Sequence, residues 1–339
     1  MCISRLISTR FEDLSNELIY EIFDYFDHLF LHEIFSKLNS RFQSLFSQSS
    51  LPWKIHFPLT SKTLFRSRCE SFIRPNLSRI ISLNICKYFL DFFSIDRFLS
   101  LHSLIIDSIA SEKISSVIQQ LTALPRFTSL SIRSRDYFQD ENATYLSIFH
   151  LTNLQFCKLT FPSGGERIPL PVSLHSYSSL RTLILHGHCR LDQLTSILSY
   201  TSQLQRLSCQ HLYGSGSSEM NFSSALTCIY LILYRITFEE LKGFLSKIGS
   251  SLKKLRIEKS NDENYFHAEQ WEDLIENSMP NLSSVHFDYS LMINDDFDRR
   301  LVNRFSSKFW IDRRYFFDHY YYKKDGVDYL NFFSITSYR

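Results

Sequence analysis

Leu180-Arg181-Thr182-Leu183-Ile184-Leu185, Leu204-Gln205-Arg206-Leu207-Ser208-Cys209 and Leu252-Lys253-Lys254-Leu255-Arg256-Ile257 share one pattern, apolar at positions one, four and six. The same pattern starts at Ile80, Leu101, Phe127, Leu154, Leu226 and Leu282. In a chain that is 44% apolar it arises by chance on the order of once per 12 positions, so the pattern alone says little. The spacing says more. Successive starts lie 21, 26, 27, 26, 24, 22, 26 and 30 residues apart, close to the repeat of about 20–29 residues that stacked strand-bearing units adopt. A strand alternates its faces, so positions four and six point inward while three, five and seven face outward.

Between these segments lie amphipathic helical stretches. Ile114, Val117, Ile118 and Leu121 form one apolar face. So do Leu191, Leu194, Ile197 and Leu198, then Phe238, Leu241, Leu245 and Ile248, then Trp271, Leu274 and Ile275. The expected unit is strand, connection, helix, stacked into a curved α/β solenoid with a parallel inner sheet. Coil is expected to replace the helix at FPSGGERIPLP (161–171), and a further loop at YGSGSSEM (213–220). Gly214 and Gly216 lack the strand–helix context of a nucleotide site.

Composition agrees. The 339 residues include 37 Lys+Arg against 35 Asp+Glu, so no basic excess calls for nucleic acid. No stretch of the 18–20 apolar residues needed to span a bilayer occurs, and residues 1–10 lack the apolar core of a signal peptide. Neither a nucleic-acid nor a membrane partner is expected. Only 8 Gly and 8 Pro, against 31 Phe and 18 Tyr, argue against a turn-rich β fold. Seven scattered Cys without CxxC favour a reducing compartment, cytoplasmic or nuclear. The sequons at Asn76, Asn142, Asn221 and Asn281 then read as chance. No GxSxG, HExxH, Walker A or zinc-finger spacing occurs, so no cofactor and no catalysis are expected. His186, His188 and Cys189, with Cys209 and His211 one repeat later, are zinc-capable types. Cys209, however, takes an inward strand position.

Residues 11–47 form a separate unit. Leu18, Ile19, Ile22, Phe23 and Phe26 mark one helix, capped by Ser15 or Asn16. A second helix is expected over 31–38. A third is expected over 40–46, with Phe42, Leu45 and Phe46 inward. Three short helices make too small a core to stand alone, which suggests a docking module.

Leu14-Ser15, Glu17, Ile22-Phe23, Tyr25-Phe26, Leu38, Arg41, Phe42 and Leu45 resemble the F-box. That motif binds the Skp-type adaptor of cullin–RING ubiquitin ligases. Ser15 stands where Pro is usual, and Phe42 where Trp is usual. The resemblance implies an adaptor-binding surface of Leu14, Ser15, Leu18, Ile22, Phe23, Tyr25 and Leu38. Residues 77–290, with about nine repeats, resemble the leucine-rich repeats of F-box/leucine-rich-repeat proteins, whose solenoid selects the ubiquitylation target. The outward columns contain Asp107, Arg133, Lys158, His186, Arg206, Tyr230, Lys254, Arg256, Glu258, His286 and Asp288. Of these, Arg133, Lys158, His186, Arg206, Tyr230, Lys254, Arg256 and His286 are the candidate contacts to a protein substrate. The alternative is a non-catalytic repeat scaffold with no ligase role.

The expected organisation is a leader (1–10), the F-box (11–50), a helical linker (51–76), the solenoid (77–290) and an aromatic cap (291–339). The cap should hold a strand at 309–311 and a hairpin turning at Asp325-Gly326. An alternative for this tail is an aromatic nucleic-acid stacking surface, against which its seven Asp offset nine Lys+Arg.

Overall fold

The structure is a computed structural model that describes residues 10–35, 37–48, 51–57, 62–85, 89–137, 141–162, 170–171, 178–214, 225–293 and 297–335. The fold is mixed α/β with a large, mostly parallel sheet. The chain divides into two compact units, Met1–Ser108 with Gln119–Phe127, and Ile109–Ile118 with Thr128–Arg339.

The first unit opens with α1 (Asn16–Asp24), α2 (His28–Phe35) and α3 (Ser40–Gln48). Ser15 is the N-cap of α1 and accepts the Leu18 N–H at 3.4 Å. Ile19 and Phe23 of α1, Leu29 and Leu31 of α2, and Phe42, Leu45 and Phe46 of α3 are buried. Phe35 joins them, 5.2 Å from the Phe23 ring and 5.5 Å from Phe42. Arg41 on α3 donates to the Leu14 carbonyl and to Asn16 Oδ1, each at 2.7 Å, which ties the entry of α1 to α3.

The expected helical linker is only partly helical. It holds a strand, β1 (Trp53–His56), before α4 (Lys62–Arg68) and a π-turn over Cys69–Ile73. Trp53 explains the strand. It is 1% exposed and stacks on Phe72 at 4.8 Å, with Arg79 4.2 Å from its ring centre, and an extended backbone delivers it there. β1 pairs in parallel with β2 (Ile80–Ile85), and β2 with β3 (Ser103–Ile109).

The helix α5 (Ser111–Leu121) contributes residues to both units. The second unit continues with β4 (Ser129–Ser134), α6 (Glu141–Phe149), β5 (Phe156–Thr160), β6 (Thr182–His186), β7 (Cys189–Arg190) and α7 (Leu191–Tyr200). Then follow β8 (Arg206–Tyr213), β9 (Cys228–Leu233), α8 (Phe238–Ile248), β10 (Lys254–Ser260), α9 (Ala268–Ser278) and β11 (Ser284–Ile293). The unit ends with α10 (Arg300–Asn303), α11 (Lys308–Asp312), β12 (Phe316–Lys324) and β13 (Val327–Ile335). Its strands run in the order β4-β5-β6-β8-β9-β10-β11-β13-β12, with β7 beside β8. Pairing is parallel as far as β11 and antiparallel from there to β13 and β12.

All nine sequence motifs lie on strands. Eight of those strands begin at the third motif residue, and β2 begins at Ile80 itself. Positions four and six are buried throughout, as in Leu183 and Leu185, Leu207 and Cys209, and Leu255 and Ile257. One hydrogen-bond device recurs beneath this pattern. The carbonyl of the second motif residue accepts the N–H groups of the second and third residues of the next motif. Gln155 and Phe156 donate to Thr128, Arg181 and Thr182 to Gln155, and Gln205 and Arg206 to Arg181. Thr227 and Cys228 donate to Gln205, Lys253 and Lys254 to Thr227, and Ser283 and Ser284 to Lys253, all at 2.8–3.0 Å. Within the first unit His102 N–H likewise bonds the Ile81 carbonyl at 2.8 Å.

Strand ends carry left-handed backbone. Ser108 and His211 take φ of 63° and 56°, and Gly187 takes 144° at the same motif position. A Cβ at Gly187 would lie 2.5 Å from the Phe161 carbonyl oxygen, so only glycine fits this corner. The two expected loops at 161–171 and 213–220 fall mostly outside the described residues.

The aromatic end departs from expectation at one point. Residues 309–311 form part of α11 rather than a strand, and Trp310 there is fully buried among Phe305, Phe317 and Tyr315. The β-prone residue types yield to the single turn that buries this indole. The hairpin β12–β13 does turn at Asp325-Gly326, with φ of 51° and 80°.

Candidate functional site

Two surfaces stand out, one in each unit. On the N-terminal helices and the turns after them, five apolar side chains face solvent: Leu18, Phe26, Phe30, Ile34 and Leu38. Ile22, between Leu18 and Phe26 in the chain, is half-buried. Tyr25 beside them is 89% exposed. The Phe26 and Phe30 rings stack at 6.1 Å. Residues four apart on a helix lie one above the other, so Phe30 and Ile34 form a ridge along α2. Exposed apolar residues are ordinary one at a time; five among three short helices, two of them stacked on each other, mark a candidate contact surface.

Of the expected adaptor-binding residues, Ser15, Leu18, Tyr25 and Leu38 are exposed, and Leu14 and Ile22 are half-buried. Phe23 is corrected. It is 1% exposed and packs on Phe35, because it shares the inward side of α1 with Ile19. Sequence reading passed over Phe30 and Ile34, whose signal was their own i, i+4 spacing within α2.

In the second unit the outward strand residues form straight rows. One row runs Ser131, Lys158, Ile184, Ser208, Tyr230, Arg256, His286 across seven strands. A second, one step toward the strand C-termini, begins Arg133, Thr160, His186. A third, one step the other way, includes Arg206, Cys228 and Lys254. All eight expected substrate contacts therefore lie on three adjacent rows of one sheet face. Each is exposed or half-buried.

The charges are not spread evenly. Burial first, then the neighbouring Lys158 and Arg133, hold the His186 imidazole below its usual range, which places three basic groups together toward β4. Toward β10 the face is mixed. The Tyr230 hydroxyl and Arg256 both donate to Glu258 Oε1, at 2.8 and 2.7 Å, and the Arg256 guanidinium lies 4.8 Å from the Tyr230 ring centre. Burial and the Glu258 carboxylate push the Tyr230 phenol up to about 12. His286 is held below its usual range by burial and Arg256, against the opposing pull of Asp288 and Glu258. This is a set of pre-positioned hydrogen-bonding and stacking groups. Beside it lies a shallow pocket of about 150 Å³ lined by Ile232, Leu233, Glu258, Lys259, Ser260, Asp288 and Ser290.

The zinc-capable residues do not converge as a set. Cys189 and Cys209 are buried in the core, while His188 stacks on Tyr213 at 4.7 Å and on His211 at 5.5 Å. Among the described residues no three His, Cys, Asp or Glu side chains converge on a metal position, and no helix is long and apolar enough to cross a membrane.

No family model matches the chain, and no curated protein matches it.

Proposed function

We propose that this chain is the target-recognition subunit of a Skp–cullin–F-box ubiquitin ligase. In this reading residues 11–50 form an F-box that docks on the Skp-type adaptor. The strand rows of an irregular leucine-rich-repeat solenoid then hold a target protein. The chain supplies no chemistry of its own. It raises the effective concentration of a target lysine near the ubiquitin-carrying enzyme, and proximity of this kind lowers a barrier without a catalytic side chain.

The observation that carries the reading is the set of exposed apolar side chains on α1, on α2 and in the turns that follow them. Leu18, Phe26, Phe30, Ile34 and Leu38 take no part in the local core that Ile19, Phe23, Leu31 and Phe42 fill. Covering five such side chains would contribute several kcal/mol, at roughly 25 cal/mol for each Å² of apolar surface buried. The test is co-purification of the full chain with a Skp-type adaptor. Leu18→Asp with Phe30→Asp should abolish capture while leaving the circular dichroism spectrum unchanged, since both residues are exposed. If the intact chain fails to bind, or the double variant binds equally well, the reading is wrong, and a repeat scaffold without a ligase role takes its place.

A further inference from the structure

The strand β12 ends the sheet, and among the described residues no strand pairs with its outer side. It is nine residues long, Phe316–Lys324, with no proline and continuous pairing to β13. Long, straight, unprotected edges are rare because they invite another strand.

The direction of the free groups follows from the hairpin. A two-residue turn makes its closing pair, Lys324 with Val327, exchange hydrogen bonds. Alternate pairs then do the same: Tyr322 with Tyr329, Tyr320 with Asn331, Asp318 with Phe333. The backbone groups of Phe317, His319, Tyr321 and Lys323 therefore face away from β13. The His319 N–H, which is donated to the carboxylate of its own neighbour Asp318 at 2.7 Å, agrees with this direction.

We propose that this edge pairs with the same edge of a second copy, antiparallel about a two-fold axis at Tyr321. Outward-facing groups must meet outward-facing groups, so only registers that set odd residues against odd residues can form. Among those, one matches charge. With Tyr321 opposite Tyr321 of the second copy, Asp318 stands opposite Lys324 and Tyr320 opposite Tyr322, each twice by symmetry. These are close, non-hydrogen-bonded positions, where cross-strand pairs contribute most. His319 opposite Lys323 and the axial Tyr321 pair would supply about six backbone bonds. Asp318, Tyr320, Tyr322 and Lys324 are all exposed, and the Asp318 carboxylate must leave the His319 N–H for the pairing to form. A two-fold contact of this kind closes on itself and stops at the dimer. The inference does not depend on the proposed ligase role.

Sedimentation velocity of the full chain across a concentration series tests it. The wild type should reach a dimer, and Tyr321→Pro, which removes an outward N–H, should be monomeric. Asp318→Lys or Lys324→Asp alone should weaken association about tenfold, roughly 1.4 kcal/mol spread over two symmetric pairs. Asp318→Lys combined with Lys324→Asp should restore it, because the two charges merely change places. A wild type that stays monomeric at every concentration overturns the proposal. So does a dimer indifferent to Tyr321→Pro, or one that the double reversal fails to restore.

Discussion

The Tyr230 hydroxyl donates to Glu258 Oε1 at 2.8 Å, from one strand to the next, and the same oxygen accepts from Arg256 at 2.7 Å. One carboxylate thus holds a phenol and a guanidinium in a fixed pose on an otherwise solvated face. Arg and Tyr held in this way lose little side-chain freedom when a ligand arrives, which is how preorganisation raises affinity. Glu258→Gln should release the Arg256 side chain. It should also lower the Tyr230 phenol from about 12 toward its ordinary range, only part of the way because burial remains. Ring-labelled tyrosine resonances followed through an alkaline titration would report it. An unmoved Tyr230 titration would mean that burial alone sets the value.

His28 carries a pH prediction. It is 2% exposed, its Nδ1 accepts the Lys54 N–H at 3.3 Å, and its Nε2 has no hydrogen-bond partner among the described residues. Burial holds the imidazole down at about 4, below the ordinary 6.5. The unfolded chain therefore binds a proton that the folded chain refuses between those values. Stability from this group is complete above pH 6.5 and declines as pH falls toward 4, by about 3 kcal/mol at most. Urea unfolding followed by tryptophan fluorescence at pH 7.5 and 4.5 should show the decline. His28→Phe should flatten it, and an equal decline in that variant would shift the cause elsewhere.

The repeat core should respond to truncation and the outward rows should not. Leu183 and Leu207 are at most 2% exposed. Replacing either with Ala should cost about 2–5 kcal/mol. Lys158→Ala and Lys254→Ala, on the outward face, should stay within about 0.5 kcal/mol. Denaturant midpoints at constant slope would make the comparison.

Two glycines should behave in opposite ways. At Gly187 the backbone has φ of 144° and a Cβ would meet a main-chain oxygen, so Gly187→Ala should destabilise by about 2 kcal/mol. Gly243 sits within α8 with nothing within 4 Å of an added Cβ. Gly243→Ala should stabilise by roughly 0.5–1 kcal/mol, since alanine gives up less chain entropy in a helix. Thermal unfolding of the two variants side by side would decide both.

The repeating strands were legible because their cause is local. Apolar residues three and five places after the motif start are buried, and the motif recurs often enough for spacing to outweigh chance. The Asp325-Gly326 turn was legible for the same reason, since few residues tolerate two successive left-handed conformations. What escaped depends on distant partners. Nothing near Trp53 announces a strand; Phe72, nineteen residues on, makes it one. Phe309-Trp310-Ile311 has strand-forming side chains, yet the cavity offered by Phe305 and Phe317 favours a helical turn. The inward turn of Phe23 was hidden because its partner Phe35 belongs to another helix. The outward rows, by contrast, follow from strand alternation alone, and the parallel register lines them up.

The shared carbonyl at the second motif position works as an index mark. From Thr128 onward each strand is aligned to its predecessor by two N–H groups on one oxygen, and the 22 to 30 residues from one mark to the next do not enter that alignment. Chain can therefore be added or removed between marks while the rows stay in line. Evolution is free to edit connections one residue at a time, whereas a single deletion inside a six-residue motif would turn every later side chain of that strand to the opposite face.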